Sequence, residues 1–464
     1  MEAKFQEREF QARKVAVLAE CELAPQVFED VVPRLEQFME PFVESLARKE
    51  QVGHALTFVR GLVSDLDHRN TESIAYRFGQ GRMPLQWFIG MSKWDNQPLR
   101  EELTRQIGSE VGDPDGVLVF DPSAFPKSGR ESVGVARQWC GRLGKIENCQ
   151  VAVYLGYVSR HEHSLVDTRL YLPKEWTQDQ ARMKKAGVPK GTKYRTRHEL
   201  ALELLDQHGE KLPHRWITGD DEMGRPYWFR RDLQQRGEQY LLAVPSNTRI
   251  RDLEVEPPMR SGPGRPPNRP WVRVDQWLTA QPATAWIRLD VRDGAKGPLI
   301  VESLKRRVAA RTDKHQQAPD EVLVVIRYKD RDDQRVVKTD YYFSNASAET
   351  PLLEFARVAK AEHRIEECLQ RCKSEAGLGD YEVRNRVGWQ HHQTLSLIAT
   401  WFLVSETRRG KKMDSRDHAP ADTGRHLPNP APRVQMRFTI QHRTRARGAH
   451  ETQRTSSTVP LEAA

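Results

Sequence analysis

Apolar side chains recur every three or four positions through the first hundred residues, the spacing that predicts amphipathic α-helices. Farther on, the helical patterns Ser73–Arg77 and Leu85–Ile89 flank Gly79-Gln80-Gly81 and predict a helix, a turn and a second helix. This unit is equally compatible with a helix-turn-helix that binds DNA and with a helical hairpin packed on a core. We therefore predict a helical N-terminal domain over residues 1–110. Its clearest apolar stripe consists of Val32, Leu35, Phe38, Met39, Phe42 and Leu46.

The pattern changes to strands between residues 112 and 225. Runs rich in β-branched and aromatic residues predict five strands, and a helical pattern at His198–His208 separates the last run from the others. The first run is expected to end at Pro122, because proline cannot donate a ladder hydrogen bond. The order of four strands, a helix and a strand predicts an α/β core over residues 111–225. The predicted strands are Val117–Phe120, Ser132–Trp139, Gln150–Ser159, Leu165–Leu172 and Trp216–Gly219.

A second strand-rich region follows this core. The segment from 226 to 345 is too long to be one connection, and it contains a loop rich in proline, glycine and arginine at residues 257–267. We therefore predict a β-rich insertion over residues 226–345, in which three tryptophans are candidates for base stacking or for core packing. Its strand patterns are Tyr240–Val244, Ala285–Val291, Val322–Tyr328 and Thr339–Phe343, and its tryptophans are Trp271, Trp277 and Trp286.

The segment 346–404 returns to a helical pattern and is predicted to rejoin the core. Ile365, Cys368, Leu369 and Cys372 form one apolar stripe, and Gly377 stands where a helix of this pattern would be capped. Residues 405–464 differ from the rest, with 12 Lys and Arg against 6 Asp and Glu and few apolar positions. This composition predicts a disordered basic tail. It is either an arm that grips DNA or the product of a truncated or frameshifted gene end.

Charge and composition narrow the class of protein. The net charge of +9 and the isoelectric point of about 9.2 fit a polyanionic partner such as nucleic acid. The sequence contains no run of 18 apolar residues, so no membrane span is predicted. The beginning Met1-Glu2-Ala3-Lys4-Phe5 lacks the apolar segment of a signal peptide, so a cytoplasmic protein is expected. Cys368 and Cys372, at helical spacing, are expected to be buried thiols rather than metal ligands.

Three acids and one lysine are candidates for chemistry. Asp121 and Asp220 each follow an apolar strand pattern, and ligands gather at the carboxyl ends of parallel strands. Glu366 lies on the predicted C-terminal helix, and Lys373 follows it by seven residues, or about two turns on the same face. Three carboxylates form a hard oxygen site suited to two Mg²⁺ or Mn²⁺ ions, which support phosphodiester cleavage. Alternatively, strand-end aspartates cap turns, and a glutamate and a lysine on one helix face form a solvated surface.

The chain resembles the DDE-type transposases of bacterial insertion sequences, in the branch with the signature Tyr-x2-Arg-x3-Glu-x6-Lys. The resemblance extends over roughly residues 30 to 404 and is most specific between 119 and 155. The stretches that carry it are Phe120–Gly129, Ser132–Gly141, Leu143–Val151, Asp220 with Gly224, Arg364–Glu382 and Gly388–His392.

The resemblance implies a ribonuclease H-like mixed sheet flanked by helices, with Asp121, Asp220 and Glu366 as catalytic acids that bind Mg²⁺ or Mn²⁺ and Lys373 as the signature lysine. It further implies cut-and-paste transposition by a bacterial, nucleoid-associated protein that binds the terminal inverted repeats and target DNA, as a homodimer in the DNA complex. It favours DNA contact by the N-terminal helices. Basic residues in the matched stretches and in the run between the two aspartates are the expected DNA contacts: Lys127, Arg137, Lys145, Lys193 and Arg364.

The chain departs from the signature at two positions. Glu362 stands at the arginine position and Ala359 at the tyrosine position. Arg364 is two residues away, and a helix turns about 200° in two steps, so Arg364 is expected to face elsewhere. Two alternatives therefore stay open. One is a DNA-binding relic that has lost catalysis, and the other is a ribonuclease H-like nuclease acting on RNA or repair intermediates.

Overall fold

The computed structural model describes residues 30–259, 268–294, 297–329 and 335–417, and of residues 292–294, 297–299 and 411–417 it describes only the backbone. The first 29 residues, residues 260–267 of the proline-rich loop and residues 418–464 of the predicted tail lie outside the described residues. Within the described residues, the chain folds as a mixed sheet with helices on its faces, so the predicted α/β class is confirmed. No described helix is both long and apolar enough to cross a bilayer.

The N-terminal part is helical, as predicted from its apolar spacing. Leu35, Met39 and Phe42 of the predicted stripe are buried, so the stripe is the inner face of the first helix. The third helix begins at Thr71 because the side chain of Asn70 accepts a hydrogen bond from the Ser73 N–H at 2.8 Å. The five helices are α1 Val31–Val43, α2 Lys49–Leu62, α3 Thr71–Arg77, α4 Arg82–Gly90 and α5 Gln97–Val111.

Helices α3 and α4 form the predicted helix, glycine turn and second helix. Gly79 has a φ of 64°, a left-handed conformation that glycine adopts without a Cβ clash. Ile74 and Phe88 on the inner faces are buried, whereas Trp87 on the outer face is 62% exposed. The hairpin therefore packs on the body of the protein through one face and presents the other to solvent.

Strand β1 (Val117–Pro126) lies at the centre of the core sheet. It pairs antiparallel with β3 (Lys145–Val158) and parallel with β5 (Trp216–Gly219), while β2 (Ala136–Cys140) is an edge strand paired with β3. The expected end of β1 at Pro122 is wrong, because the strand continues to Pro126. Beyond Phe120, β1 no longer pairs with β5, and a proline is tolerated at such a free edge. The remaining elements are β4 His163–Leu170, which pairs with β3, and helices α6 Lys174–Gln178, α7 Gln180–Lys185 and α8 Arg197–His208.

The strands of the predicted insertion extend the same sheet. Strand β6 (Tyr240–Val244) pairs parallel with β5, and β12 (Val336–Ser344) pairs antiparallel with β6 on its other side. An ion pair of Arg230 with Glu321, both almost fully buried, joins α10 (Tyr227–Gln235) to β11 (Gln317–Lys329). The other elements are α9 Asp221–Gly224, β7 Arg249–Asp252, β8 Val272–Arg273, α11 Val274–Thr279, β9 Ile287–Gly294 and β10 Gly297–Arg311. The sequence patterns missed β7, β8 and β10.

Two helices close the described chain, α12 (Leu352–Glu375) and α13 (Arg386–Asp417). The predicted apolar stripe of α12 is buried, and Gly377 has the positive φ, 60°, expected just past the helix end. Gly156 of β3 lets α12 approach the sheet, since a Cβ there would lie 2.5 Å from Ile365 Cδ1. This close approach sets the distance between α12 and the strand ends.

Candidate active site

The two candidate aspartates lie at the ends of neighbouring parallel strands. The last paired residues of β1 and β5 are Phe120 and Gly219, and Asp121 and Asp220 follow them directly. The Asp220 side chain also caps α9, accepting a hydrogen bond from the Met223 N–H at 3.0 Å. The pairing of the two strands ends at this point, and both acids line one cavity beyond it, at the carboxyl ends of the strands.

Helix α12 crosses the same opening and brings the other predicted site residues to it. A cavity of about 1010 Å³ contains Asp121, Asp220, Glu366 and Lys373 in its lining. These four residues, which the sequence argument grouped as candidates, come from three separate elements of the fold. Six further charged residues of the lining were not among those candidates, and they are Arg142, Lys338, Glu362, Arg371, Glu375 and Asp380.

Burial and mutual repulsion disfavour the ionised aspartates. Burial raises the pKa of Asp121 to about 6, with Lys373 opposing the rise and Glu366 adding to it. Burial raises the pKa of Asp220 to about 7, and the charge of Asp121 contributes to that rise. A pair of carboxylic acids with pKa values raised toward neutrality is characteristic of sites that bind cations or transfer protons.

Glu362 and Glu366 differ in their surroundings although they are one helical turn apart. The side chain of Glu366 is 67% exposed, and its Oε2 lies 3.6 Å from His363 Nδ1, which lowers the pKa of Glu366. Burial first, and then the charges of Asp220 and Asp121, raise the pKa of Glu362 to about 8. The charges of both aspartates therefore act on Glu362, whereas Glu366 acts on Asp121.

Two lysines bring positive charge to the cavity. Lys373 Nζ donates a hydrogen bond to Ser123 Oγ at 2.8 Å and lies 4.8 Å from the centre of the Phe125 ring. Burial lowers the pKa of Lys373, while the charge of Asp121 opposes the decrease. Lys338 reaches the cavity from β12 and lies 3.0 Å from Asp340. No local signal identified Lys338, because only the pairing of β12 with β6 brings it near the acids.

With this geometry in place, comparisons with known proteins identify the family. Residues 41–298, more than half of the chain, match the family described as DDE superfamily endonuclease. The chain belongs to this family. The matched range includes Asp121 and Asp220 and ends before α12, so the assignment of the third acid rests on the geometry of the cavity.

A relative of this DDE superfamily endonuclease is described as a probable transposase for insertion sequence element IS701, from Microchaete diplosiphon. The two chains are 30% identical over 146 residues, which is 31% of this chain and 36% of the relative. The alignment thus spans about a third of the relative's length.

The donor set of this DDE endonuclease fits a hard divalent cation. The cavity acids offer only carboxylate oxygens, the ligands that Mg²⁺ and Mn²⁺ prefer. Burial, together with repulsion from neighbouring acids, raises the pKa of both aspartates, and a bound cation would favour their ionised forms. Within the residues that the structure describes, no three His, Cys, Asp or Glu side chains converge tightly enough to enclose an ion. Asp121, Asp220 and one of the two glutamates would hold the cation.

The residues predicted to contact DNA fall into two groups. Lys127 is directed inward, since its Nζ lies 3.5 Å from the centre of the Tyr381 ring and donates to the Tyr381 carbonyl at 3.0 Å. Arg364 is also directed inward and donates to the Ser159 carbonyl at 3.1 Å. Arg137, Lys145 and Lys193 are exposed and accessible to a ligand.

The candidate tryptophans of the insertion already have partners. The guanidinium of Arg251 lies 4.3 Å from the Trp271 ring, and that of Arg327 lies 3.7 Å from the Trp286 ring. Trp277 is buried and donates from Nε1 to Asp252 at 2.9 Å. Trp277 therefore contributes to packing, while each of the other two already has an arginine against its ring.

Proposed function

We propose that this DDE endonuclease is a transposase that moves an insertion sequence by cut-and-paste transposition, through divalent-metal-dependent hydrolysis of phosphodiester bonds and strand transfer. The observation that supports this most directly is the cavity in which strand-end aspartates, helix glutamates and a lysine come together. Family membership and the likeness to a probable insertion-sequence transposase support the same reaction class.

Five residues of the cavity lining have roles in this proposal. Asp121, Asp220 and Glu366 would hold Mg²⁺ or Mn²⁺, as two ions. When bound, these ions supply the positive charge that activates the attacking water or 3′-hydroxyl and stabilises the leaving oxygen. Lys373 contacts the phosphate beside the cleaved bond, since an ammonium repels a cation and has only donors. Its contact with Ser123 holds the ammonium at the cavity wall before DNA binds.

Glu362 is a second candidate for the third carboxylate, because it interacts with both aspartates whereas Glu366 lies against His363. Equilibrium Mn²⁺ binding by the purified protein distinguishes the two glutamates. The glutamate that ligates the ion is the one whose replacement by glutamine weakens Mn²⁺ binding at least tenfold. Glu367→Gln is the matched control, since Glu367 lies on the same helix outside the cavity lining.

The other parts of the chain complete the proposal. The helical domain 1–110 recognises the terminal inverted repeats, residues 111–225 and 346–404 form the catalytic core, and 226–345 is the insertion. The tail 405–464 adds non-specific affinity for DNA, and a homodimer forms on the DNA. The protein acts in the cytoplasm of a bacterium, at the nucleoid.

The decisive experiment is strand cleavage of a duplex carrying the ends of the element, with Mg²⁺ or Mn²⁺. The wild-type protein should cleave the duplex at the ends, and Asp121→Asn should bind the same duplex without cleaving it. Asp221→Asn is the matched control, because Asp221 is exposed and lies next to Asp220. Specific binding without cleavage by the wild-type protein would instead identify a catalytically inactive relic, the alternative that Glu362 at the signature arginine position favours.

A further inference from the structure

The hairpin of β2 and β3 exposes an apolar ridge at the mouth of the candidate active site. Trp139 is 55% exposed, Ile146 is 58% exposed and Leu143, in the turn between the strands, is 44% exposed. Trp139 and Ile146 are directly opposite each other in the antiparallel register, so their side chains share one face. Two large apolar groups thus lie side by side in solvent, and a third is exposed in the turn that joins their strands.

The opposite face of this hairpin accounts for the orientation of the ridge. Cys140 and Cys149 are fully buried and pack with Ala124 and Val151. Because side chains alternate along a strand, burial of Cys140 turns its neighbour Trp139 outward. Among the strands that the structure describes, β2 pairs with β3 alone and lies at the edge of the sheet. The ridge is therefore fixed by packing on its inner face.

Arginine side chains lie beside the ridge and connect it to the cavity. Arg137 is exposed and lies on the ridge face, two residues before Trp139. Lys145, next to Ile146, is also exposed and pairs with Glu147 at 3.1 Å. Arg142, in the turn, lines the same cavity as Asp121 and is close enough to Lys373 to influence its pKa. A polyanion that enters the cavity would therefore also meet the hairpin.

We propose that Trp139, Leu143 and Ile146 form a docking surface for DNA with unpaired bases beside the cleaved phosphate. The inference rests on the proposed function. Aromatic side chains next to cations are the combination that binds single strands, since bases stack on the ring while phosphates pair with the cations. A fully paired duplex keeps its bases stacked and offers the ridge little apolar surface.

The strand register gives the scale of this contact. Asp121 is opposite Tyr154, and Ile146 is eight residues before Tyr154 on the same strand. Eight residues of strand extend at most about 26 Å, which corresponds to about eight base pairs at ~3.4 Å each. The ridge therefore contacts DNA within about eight nucleotides of the phosphate at the acids.

The test is equilibrium binding of the full chain to two fluorescent 30-base-pair probes, one fully paired and one with a three-nucleotide mismatch bubble. Calcium replaces magnesium to prevent cleavage. The wild-type protein should prefer the bubble, and Trp139→Ala should weaken bubble binding about 10-fold, with little change for the paired probe. Leu143→Ser should also weaken binding of the bubble probe. Leu353→Ser is the matched control, since Leu353 is 48% exposed at the start of α12.

Each outcome decides between clear alternatives. Equal affinity of Trp139→Ala and wild type for the bubble overturns the inference while leaving the proposed function intact. Loss of self-association in Trp139→Ala, measured by sedimentation with DNA affinity unchanged, would identify the ridge as a contact between copies of the chain and also overturns it. Absence of all DNA binding by the wild type overturns the proposed function together with the inference. Far-ultraviolet circular dichroism confirms that the variants are folded.

Discussion

Replacement of Asp220 by asparagine should stabilise the metal-free protein at neutral and alkaline pH. The carboxylate of Asp220 lies next to Asp121 and is desolvated, so its ionised form is unfavourable in the folded state. Asparagine removes that charge but keeps a side-chain oxygen that can accept the hydrogen bond from Met223 N–H at the start of α9. The substitution therefore isolates the electrostatic cost of the site from its local structural role.

The magnitude follows from the raised pKa of Asp220. The unfolded chain ionises near pH 3.8 and the folded chain near pH 7. Stability from this group is therefore fully present below about pH 4 and is lost as the pH rises through about 7. A rise of about three pH units at ~1.4 kcal/mol each gives an upper limit of about 4 kcal/mol. Because water enters the open cavity and screens the charges, we expect a gain of roughly 2 to 4 kcal/mol for Asp220→Asn at pH 8.

Urea unfolding between pH 4 and pH 8.5 measures this change in the free energy of unfolding. Each series is repeated with MgCl₂ at about 10 mM, which is enough to occupy a weak site. Wild-type stability should fall across this range without Mg²⁺ and recover at pH 8 when Mg²⁺ is added, whereas Asp220→Asn should show a smaller fall and little response to Mg²⁺. Asp221→Asn, at an exposed carboxylate 3.8 Å from Arg225, should behave like wild type. A wild-type protein that is equally stable at pH 5 and pH 8, or an Asp220→Asn variant that is less stable at pH 8, would refute the reasoning.

Three further predictions concern DNA contact and packing. Lys373→Ala should reduce the slope of log binding constant against log salt concentration by about 0.9, because it removes one phosphate contact, while Mn²⁺ affinity stays the same. Fluorescence anisotropy measures the slope, and an unchanged slope would exclude a phosphate contact by Lys373. Gly156→Ala should lower the free energy of unfolding by about 1–3 kcal/mol and weaken Mn²⁺ binding, because the added methyl group meets Ile365 and displaces α12; thermal unfolding and Mn²⁺ titration together test it. Arg230→Met should cost about 3–5 kcal/mol, because it leaves Glu321 buried without its partner; the double variant with Glu321→Leu should recover most of the loss in urea unfolding, and no recovery would contradict the ion-pair explanation.

The sequence by itself determined the class of the fold and where the acids lie along the chain. Apolar runs that end in Asp121 and Asp220 predict strands whose carboxyl ends carry acids, because the strand period and the turn residues are local properties. The 3.6-residue period placed Ile365 and Cys372 on the buried face of α12, and the position of Gly377 indicated its end. These features depend on near neighbours in the chain, so the order of residues is enough to establish them.

Only the tertiary structure decided which charged groups meet at the cavity. Glu362 interacts with both aspartates while Glu366 is largely exposed, a difference that depends on the rotation of α12 against the sheet. Lys338 reaches the acids because β12 pairs beside β6, a contact between segments almost a hundred residues apart in sequence. Lys127 is partly buried because its ammonium packs against the Tyr381 ring. Charge positions are local information, but the desolvation and pairing that give each charge its role arise from contacts between distant segments, and those exist only once the chain has packed.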